Sequence, residues 1–344
     1  MLTVGLIGVG MIGRKYLDLL KEKSDVSVKA LAVQSEASYA KLKDEFGTTY
    51  DLYTDYRQML ADNELQAILV LTPHPTHYAI ARDVLKAHKH LFVEKPLVLH
   101  ALEAEELVHQ AEKSGKVFAV GYNQRFMPSY QKAKELLAEN VLGTIQRSHW
   151  VVTTMYRTDS YYQQNAWRGT KDAEGGGVLL NQGNHQLDLY RWLLGQPSRV
   201  ASLLRIGVRR QIEVEEAAEV LLDFSPQHFG SLVLSVTEPY PEDTLTITGT
   251  TGKMVVTPQE VTLTYNNQEA SPQPAHKPQG IHQEVFHYHA TKEASYPLML
   301  ANFVASCQGE ETVLASGGDA AATVRLLEAI YDSAEFNTWI SPAE

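Results

Sequence analysis

Residues 3–13 read TVGLIGVGMIG. A short apolar run passes straight into Gly8-x-Gly10-x-x-Gly13, and an amphipathic stretch, Met11–Lys21, continues from the glycines. The glycine spacing alone is weak evidence, because 22 glycines in 344 residues generate such patterns by chance. Placed after an N-terminal strand and at the opening of a helix, it has the context of a dinucleotide fingerprint. Gly8 then permits the tight turn, Gly10 lets backbone approach a pyrophosphate, and Gly13 lets helix and strand pack closely. Met11 and Ile12 place amides at the helix N-terminus, where the dipole favours an anion.

Working outward, apolar runs recur at Val26–Val33, Ala67–Leu71, His90–Glu94 and Val117–Gly121. Between them, helical patterns fall at Ser38–Phe46, Tyr56–Ala61, Thr76–Ala87 and Leu102–Ser114. Strands apolar on both faces, alternating with helices, imply an α/β Rossmann domain with a doubly wound parallel sheet. Past Gly121 the rhythm changes. A helix at Tyr130–Glu139 is followed by strand patterns from Thr144 onward, at Val200–Val208, Ala218–Phe224, Gly230–Thr237, Thr244–Thr248, Lys253–Thr257 and Val261–Tyr265. Strands succeeding one another without helices imply antiparallel pairing. The chain therefore divides into a dinucleotide-binding domain, 1–121, and a substrate-binding and oligomerisation domain, 122–344. Residues 266–290 are polar with three prolines and read as a long loop or arm. A last helix is expected at Gly318–Glu335.

Composition excludes some partners. The formal net charge is −11 with no basic run, which disfavours nucleic acid and anionic membrane. No apolar run reaches the roughly 18–20 residues of a membrane span, and no signal peptide is evident. The single cysteine, Cys307, lies in an apolar helical pattern and reads as a core thiol of a reducing compartment. A soluble cytoplasmic protein is the expectation.

The nicotinamide cofactor is NAD or NADP. An NAD site places an acid at the end of the second strand to hold the ribose hydroxyl. Here that strand ends in Val33-Gln34-Ser35, and Glu36 arrives late. Gln34 and Ser35 suit either a hydroxyl or a 2′-phosphate, and no arginine adjoins them in sequence. The balance tilts slightly to NADP.

Three further stretches carry polar chemistry. Thr72-Pro73 and Glu94-Lys95-Pro96 sit at the C-terminal ends of parallel strands, where open α/β sheets bind ligands. Lys95 is either a group that polarises a substrate oxygen or a surface lysine at a rigid turn. His74 and His77 have HxxH spacing but no local third ligand, so no metal site is expected. Residues 175–195 read GGGVLLNQGNHQLDLYRWLLG, in which Asn181, His185, Asp188 and Trp192 would share one stripe of a continuous helix.

Together these residues resemble the Gfo/Idh/MocA oxidoreductases, which include inositol dehydrogenases and glucose–fructose oxidoreductase. The resemblance rests on Gly8-x-Gly10-x-x-Gly13, Thr72-Pro73 with His77, Glu94-Lys95-Pro96, and GYNQRFMP at 121–128. It continues through Gly175–Gly177, His185 and Asp188 to LLEAIYDSAE at 327–336. It implies a second domain with an open, mostly antiparallel sheet, whose inner face covers the nicotinamide and whose outer face makes dimer or tetramer contacts. It implies hydride transfer between the cofactor and a hydroxyl or carbonyl carbon of a sugar, sugar derivative or cyclitol. Lys95 and His185 would be the catalytic acid/base pair, with Glu94 and His77 near the cofactor. Gly175–Gly177 would let the chain enter its helix close beside the cofactor. Trp167 and Arg168 would lie on a loop reaching back over the site. Asp188 would bind substrate, orient His185, or be a buried hydrogen-bonded acid. Arg125 would position the domain junction. The family usually carries Asp four residues before the histidine, and this chain has Asn181, which puts inositol as substrate in doubt. Two other functions fit the same fold: a non-catalytic cofactor-binding regulator, and an NAD-dependent glycoside-cleaving enzyme.

Overall fold

The computed structural model describes residues 1–266 and 280–342. The chain divides into two units, the first comprising Met1–Tyr122 and Tyr296–Val324. In it β1 (Leu2–Ile7), α1 (Met11–Lys21), β2 (Val26–Ala32), α2 (Glu36–Phe46), β3 (Asp51–Tyr53) and α3 (Tyr56–Leu60) come first. Then follow β4 (Ala67–Val70), α4 (His77–Lys86), β5 (His90–Val93), α5 (Ala101–Ser114) and β6 (Phe118–Val120). The strands pair in the order β3-β2-β1-β4-β5-β6, all parallel. This is the doubly wound sheet, with the order reversing between β1 and β4. Every residue of β4 is buried, as a central strand covered on both faces requires. The three-residue β3 was not anticipated, being too short and too polar to show a strand period.

The second unit holds the rest of the described chain. It opens with α6 (Pro128–Ala138), β7 (Ile145–Val152), α7 (Asp159–Gln163), α8 (Lys171–Glu174) and α9 (Asn184–Leu194). Then come β8 (Arg199–Ile206), β9 (Glu215–Ser225), β10 (His228–Ser235), β11 (Asp243–Gly249), β12 (Gly252–Val256), β13 (Glu260–Asn266) and β14 (Ile281–His287). These eight strands make one sheet in the order β14-β13-β12-β11-β7-β10-β9-β8. All its pairs are antiparallel except β7 with β10. Period-two alternation gives the sheet two unlike faces. Trp150, Leu222, Leu232, Leu245, Met254 and Leu263 are buried on one side. Tyr130 of α6 and Tyr190 of α9 lie 5.9 and 6.0 Å from the Trp150 ring on that side. The opposite face leaves Leu203, Leu221 and Phe229 more than half exposed.

Two expectations are corrected here. The span 266–290 is not wholly a loop: Asn266 ends β13, and Ile281–His287 form β14, paired along its length with β13. Cross-strand hydrogen bonding supplies what a polar sequence without apolar alternation does not signal. The part of that span at 267–279 lies outside the described residues. The second correction concerns α10 (Ser295–Gln308) and the start of α11 (Gly317–Phe336), because Tyr296–Val324 belong to the first unit. There Val120 N donates to Ala315 O at 3.0 Å, Ala119 bridges Ser316, and Phe303 lies 5.5 Å from Phe92. Late segments thus cover the β6 side of the first sheet. Cys307, on α10, is half-buried, and burial pushes its thiol up to about 12.

Candidate functional site

The first unit contains a cleft of about 790 Å³ at the C-terminal ends of β1, β2 and β4. Among the expected cofactor residues it brings together Gly8, Gly10, Gln34, Ser35, Thr72 and Pro73. Gly8 has φ +95°, and a Cβ there would stand 2.8 Å from the Leu71 carbonyl. A Cβ on Gly13 would lie 2.1 Å from Gly8 O, so helix and turn touch as the fingerprint demands. Nothing stands within 4 Å of a Cβ built on Gly10, the N-cap of α1, which leaves backbone open towards the cleft. Met11 and Ile12 expose their side chains and offer the cleft only the start of a helix. This geometry fits a dinucleotide: close backbone, a helix N-terminus and room for two nucleotides.

The far end of the cleft holds residues that sequence reading missed. Ser38, Thr54, Asp55, Tyr56 and Arg57 line it beside Gln34 and Ser35. The cause is β3, whose parallel pairing sets Tyr53 against Ala32 and lets Val33 N donate to Tyr53 O at 3.0 Å. An arginine is therefore present after all, 23 residues after Gln34 in sequence. Arg57 Nε lies 3.3 Å from Asp83, and Asp55 caps α3 through a 2.9 Å bond from Arg57 N. Ser35 caps α2 by accepting from Ser38 N at 3.1 Å and donates to Ser38 Oγ at 2.9 Å.

His77, Glu94 and Lys95 lie outside the cleft's lining. His77 is fully buried, with Nδ1 2.9 Å from Pro96 O and Nε2 2.8 Å from Thr72 O. It braces one strand-end loop against the next, and burial pushes its pKa down. Glu94 accepts from Tyr16 OH at 2.5 Å and from Lys95 N at 2.9 Å. Burial and the neighbouring carboxylate hold the Tyr16 hydroxyl well above its ordinary value, so it serves as a donor. Lys95 is half-buried at the turn that follows.

In the second unit the segment 175–195 departs from one continuous helix. Val178–Gln182 form a π turn, closed by Gly183 N on Val178 O at 2.6 Å, and α9 begins only at Asn184. π turns of this kind recur at functional sites. Asn181 and His185 therefore do not share a single α-helical stripe. Buried Glu215 of β9 fixes the approach, accepting from Gly177 N and Leu179 N at 2.9 Å and from Tyr331 OH at 2.9 Å. A Cβ on Gly177 would lie 2.0 Å from Glu215 O, so this glycine serves strand contact inside the unit.

Asp188 is fully buried, and its carboxylate takes bonds of 2.7 and 2.6 Å from Arg125 Nε and Nη2. Of the three readings open for Asp188, this pairing is that of a buried hydrogen-bonded acid. Arg125 also lies 5.6 Å from the Trp192 ring, so two members of the expected stripe are its partners. Half-buried Asn181 donates to Glu174, a buried acid. Arg168 stacks its guanidinium 3.9 Å from the Tyr161 ring, while Trp167 beside it is 41% exposed. His185, the second residue of α9, is half-buried. Among the described residues no group of three His, Cys, Asp or Glu side chains is placed to hold a metal ion.

A 3-2-1-4-5-6 parallel sheet with a glycine cradle, joined to a mostly antiparallel sheet, defines a class of two-module dinucleotide-binding proteins. The family model for the oxidoreductase NAD-binding Rossmann fold matches residues 2–122, and that for the family's C-terminal alpha/beta domain matches 134–341. The chain belongs to the Gfo/Idh/MocA oxidoreductase family. It is 28% identical over 195 residues to a myo-inositol 2-dehydrogenase of Thermotoga maritima, covering 57% of this chain and 55% of that one. The chain spans about half the length of the first curated relatives it matches. Among solved structures, GenD2 from gentamicin A biosynthesis, in complex with NAD, is 26% identical with TM-score 0.78, covering 99% of this chain and 96% of that one. A levoglucosan dehydrogenase in complex with NADH and levoglucosan shares the fold at 21% identity and TM-score 0.83, with 100% of both chains covered.

Proposed function

We propose that the chain is an NAD(P)-dependent oxidoreductase acting on a hydroxyl or carbonyl carbon of a sugar, sugar derivative or cyclitol. The observation that carries this reading is the cleft lined by Gly8 and Gly10, with Gly13 packed against Gly8, in a chain of this family. Relatives and neighbours named for inositol and levoglucosan support the substrate class. Backbone amides at Gly10–Gly13 would hold the pyrophosphate, and Thr72 and Pro73 would flank the cofactor. When bound, a nicotinamide supplies the hydride acceptor or donor. Lys95 donates a hydrogen bond to the reacting substrate oxygen and stabilises charge developing there. His185 takes the hydroxyl proton in the oxidative direction and returns it in the reductive one. His77 and Glu94 act through Lys95, by fixing the backbone on either side of it. Asn181, Trp167 and Arg168 contact substrate, and Asp188 acts through Arg125. In kinetics with wild-type enzyme, Lys95→Ala and His185→Ala should each lower kcat by roughly 10²–10⁴-fold. Rates equal to wild type on the best substrate would overturn the roles.

Gln34, Ser35 and Arg57 favour NADP, since Arg57 supplies the cation that a 2′-phosphate needs and that the local sequence lacks. Titration with NADH and NADPH should give tighter NADPH binding; tighter NADH would reverse this assignment. The exposed leucines and Phe229 on the outer sheet face suit a second copy of the chain, giving a homodimer or homotetramer. No helix among the described residues is long and apolar enough to cross a membrane; the single cysteine and acidic charge suit the cytoplasm.

A further inference from the structure

Position 181, four residues before His185, carries an amide, and the structure shows what holds it. Asn181 sits in the π turn Val178–Gln182, and its Nδ2 donates to Glu174 Oε1. Glu174 is only 2% exposed, at the last position of α8, and its second oxygen accepts from Gly169 N at 2.5 Å. Both carboxylate oxygens therefore act as acceptors. A carboxylate has no donor to offer, so it dictates which end of a neighbouring amide faces it. The Asn181 nitrogen turns to Glu174, and its carbonyl oxygen turns away.

We propose that Glu174 is a positioning residue that sets the hydrogen-bond polarity of position 181. With Glu174 beneath it, Asn181 presents a neutral, oriented acceptor, which suits a hydroxyl donor of an uncharged polyol or sugar. This rests on the oxidoreductase reading for the identity of the ligand, though not for the coupling of the two side chains. An aspartate at 181 is incompatible with this arrangement. It would set a second carboxylate against a buried one, and two acids at that distance retain a shared proton. Exchanging both residues, as N181D with E174Q, restores one donor and one acceptor with their direction reversed.

The test follows thermal stability against pH for wild type, Asn181→Asp, Glu174→Gln and the double variant. In the Asn181→Asp protein the folded state holds a proton that the unfolded chain has released. Its deficit in Tm relative to wild type should therefore widen as pH rises above the ordinary carboxylate range. The double variant should recover Tm and lose that slope. A pH-independent deficit, or no recovery in the double variant, would overturn the coupling. In steady-state kinetics Glu174→Gln replaces the acceptor-only partner that fixes which end of the Asn181 amide faces it. It should raise KM for the hydroxyl substrate roughly tenfold, the loss of about one hydrogen bond, with kcat within about twofold. An unchanged KM would overturn the positioning role. If wild-type enzyme turned over no hydroxyl substrate, the oxidoreductase reading would fail, and the stability measurements would still decide whether Glu174 and Asn181 are coupled.

Discussion

The cofactor cleft of the first unit and the His185 segment of the second are built by different means. The cleft is made largely of backbone: a glycine turn, the start of α1, and strand ends set by a parallel sheet. The His185 segment is held by buried side chains: Glu215 beneath Gly177 and Leu179, Glu174 beneath Asn181, and Arg125 against Asp188. Backbone architecture tolerates change in most side chains. A network of buried polar groups does not, because each lost partner strands another group away from water.

The largest effect should come from that second region. Asp188→Ala leaves the Arg125 guanidinium buried without its carboxylate, which should cost about 3–5 kcal/mol in urea unfolding. Asp188→Asn, which keeps an acceptor, should cost less. Equal and small losses would break the contrast, by showing that the pair is dispensable. A smaller, pH-dependent effect sharpens it. His228 is stacked 4.2 Å from Phe224, and its Nε2 lies 2.9 Å from Ser148 Oγ, which itself accepts from Tyr190 OH. Burial disfavours the charged imidazole and lowers its pKa to about 4. Between that value and the ordinary one near 6.5, the unfolded chain binds more protons than the folded one. Stability should be complete above the ordinary value and fall as pH drops towards 4. A His228→Phe variant should flatten that part of the profile; an unchanged slope would place its origin elsewhere.

The same contrast explains what was legible in the sequence. Gly8, Gly10 and Gly13 are read from local spacing, and strands such as Ala67–Val70 from an apolar run, because both features are written in consecutive residues. Arg57 was invisible, since only the short strand Asp51–Tyr53, paired with β2, brings it beside Gln34. Asp188 was recognised as a polar group in an apolar helix, but its partner Arg125 lies 63 residues away. The π turn at 178–182 escaped because a 3.6-residue stripe cannot register one extra residue per turn. Gly177 belongs to the same group: its need for a missing side chain is set by Glu215 on a strand that follows much later. Tyr296–Val324 join the first unit through contacts with Ala119, Val120 and Phe92 that no local pattern announces.

The central claim is that this chain oxidises or reduces a hydroxyl-bearing substrate with a nicotinamide. Its most direct test is nicotinamide absorbance with purified wild-type protein, both cofactors and a panel of sugars, sugar acids and cyclitols. The account predicts net, stoichiometric cofactor turnover with at least one member of the panel. Cofactor binding without turnover across the whole panel, in both directions, would contradict it.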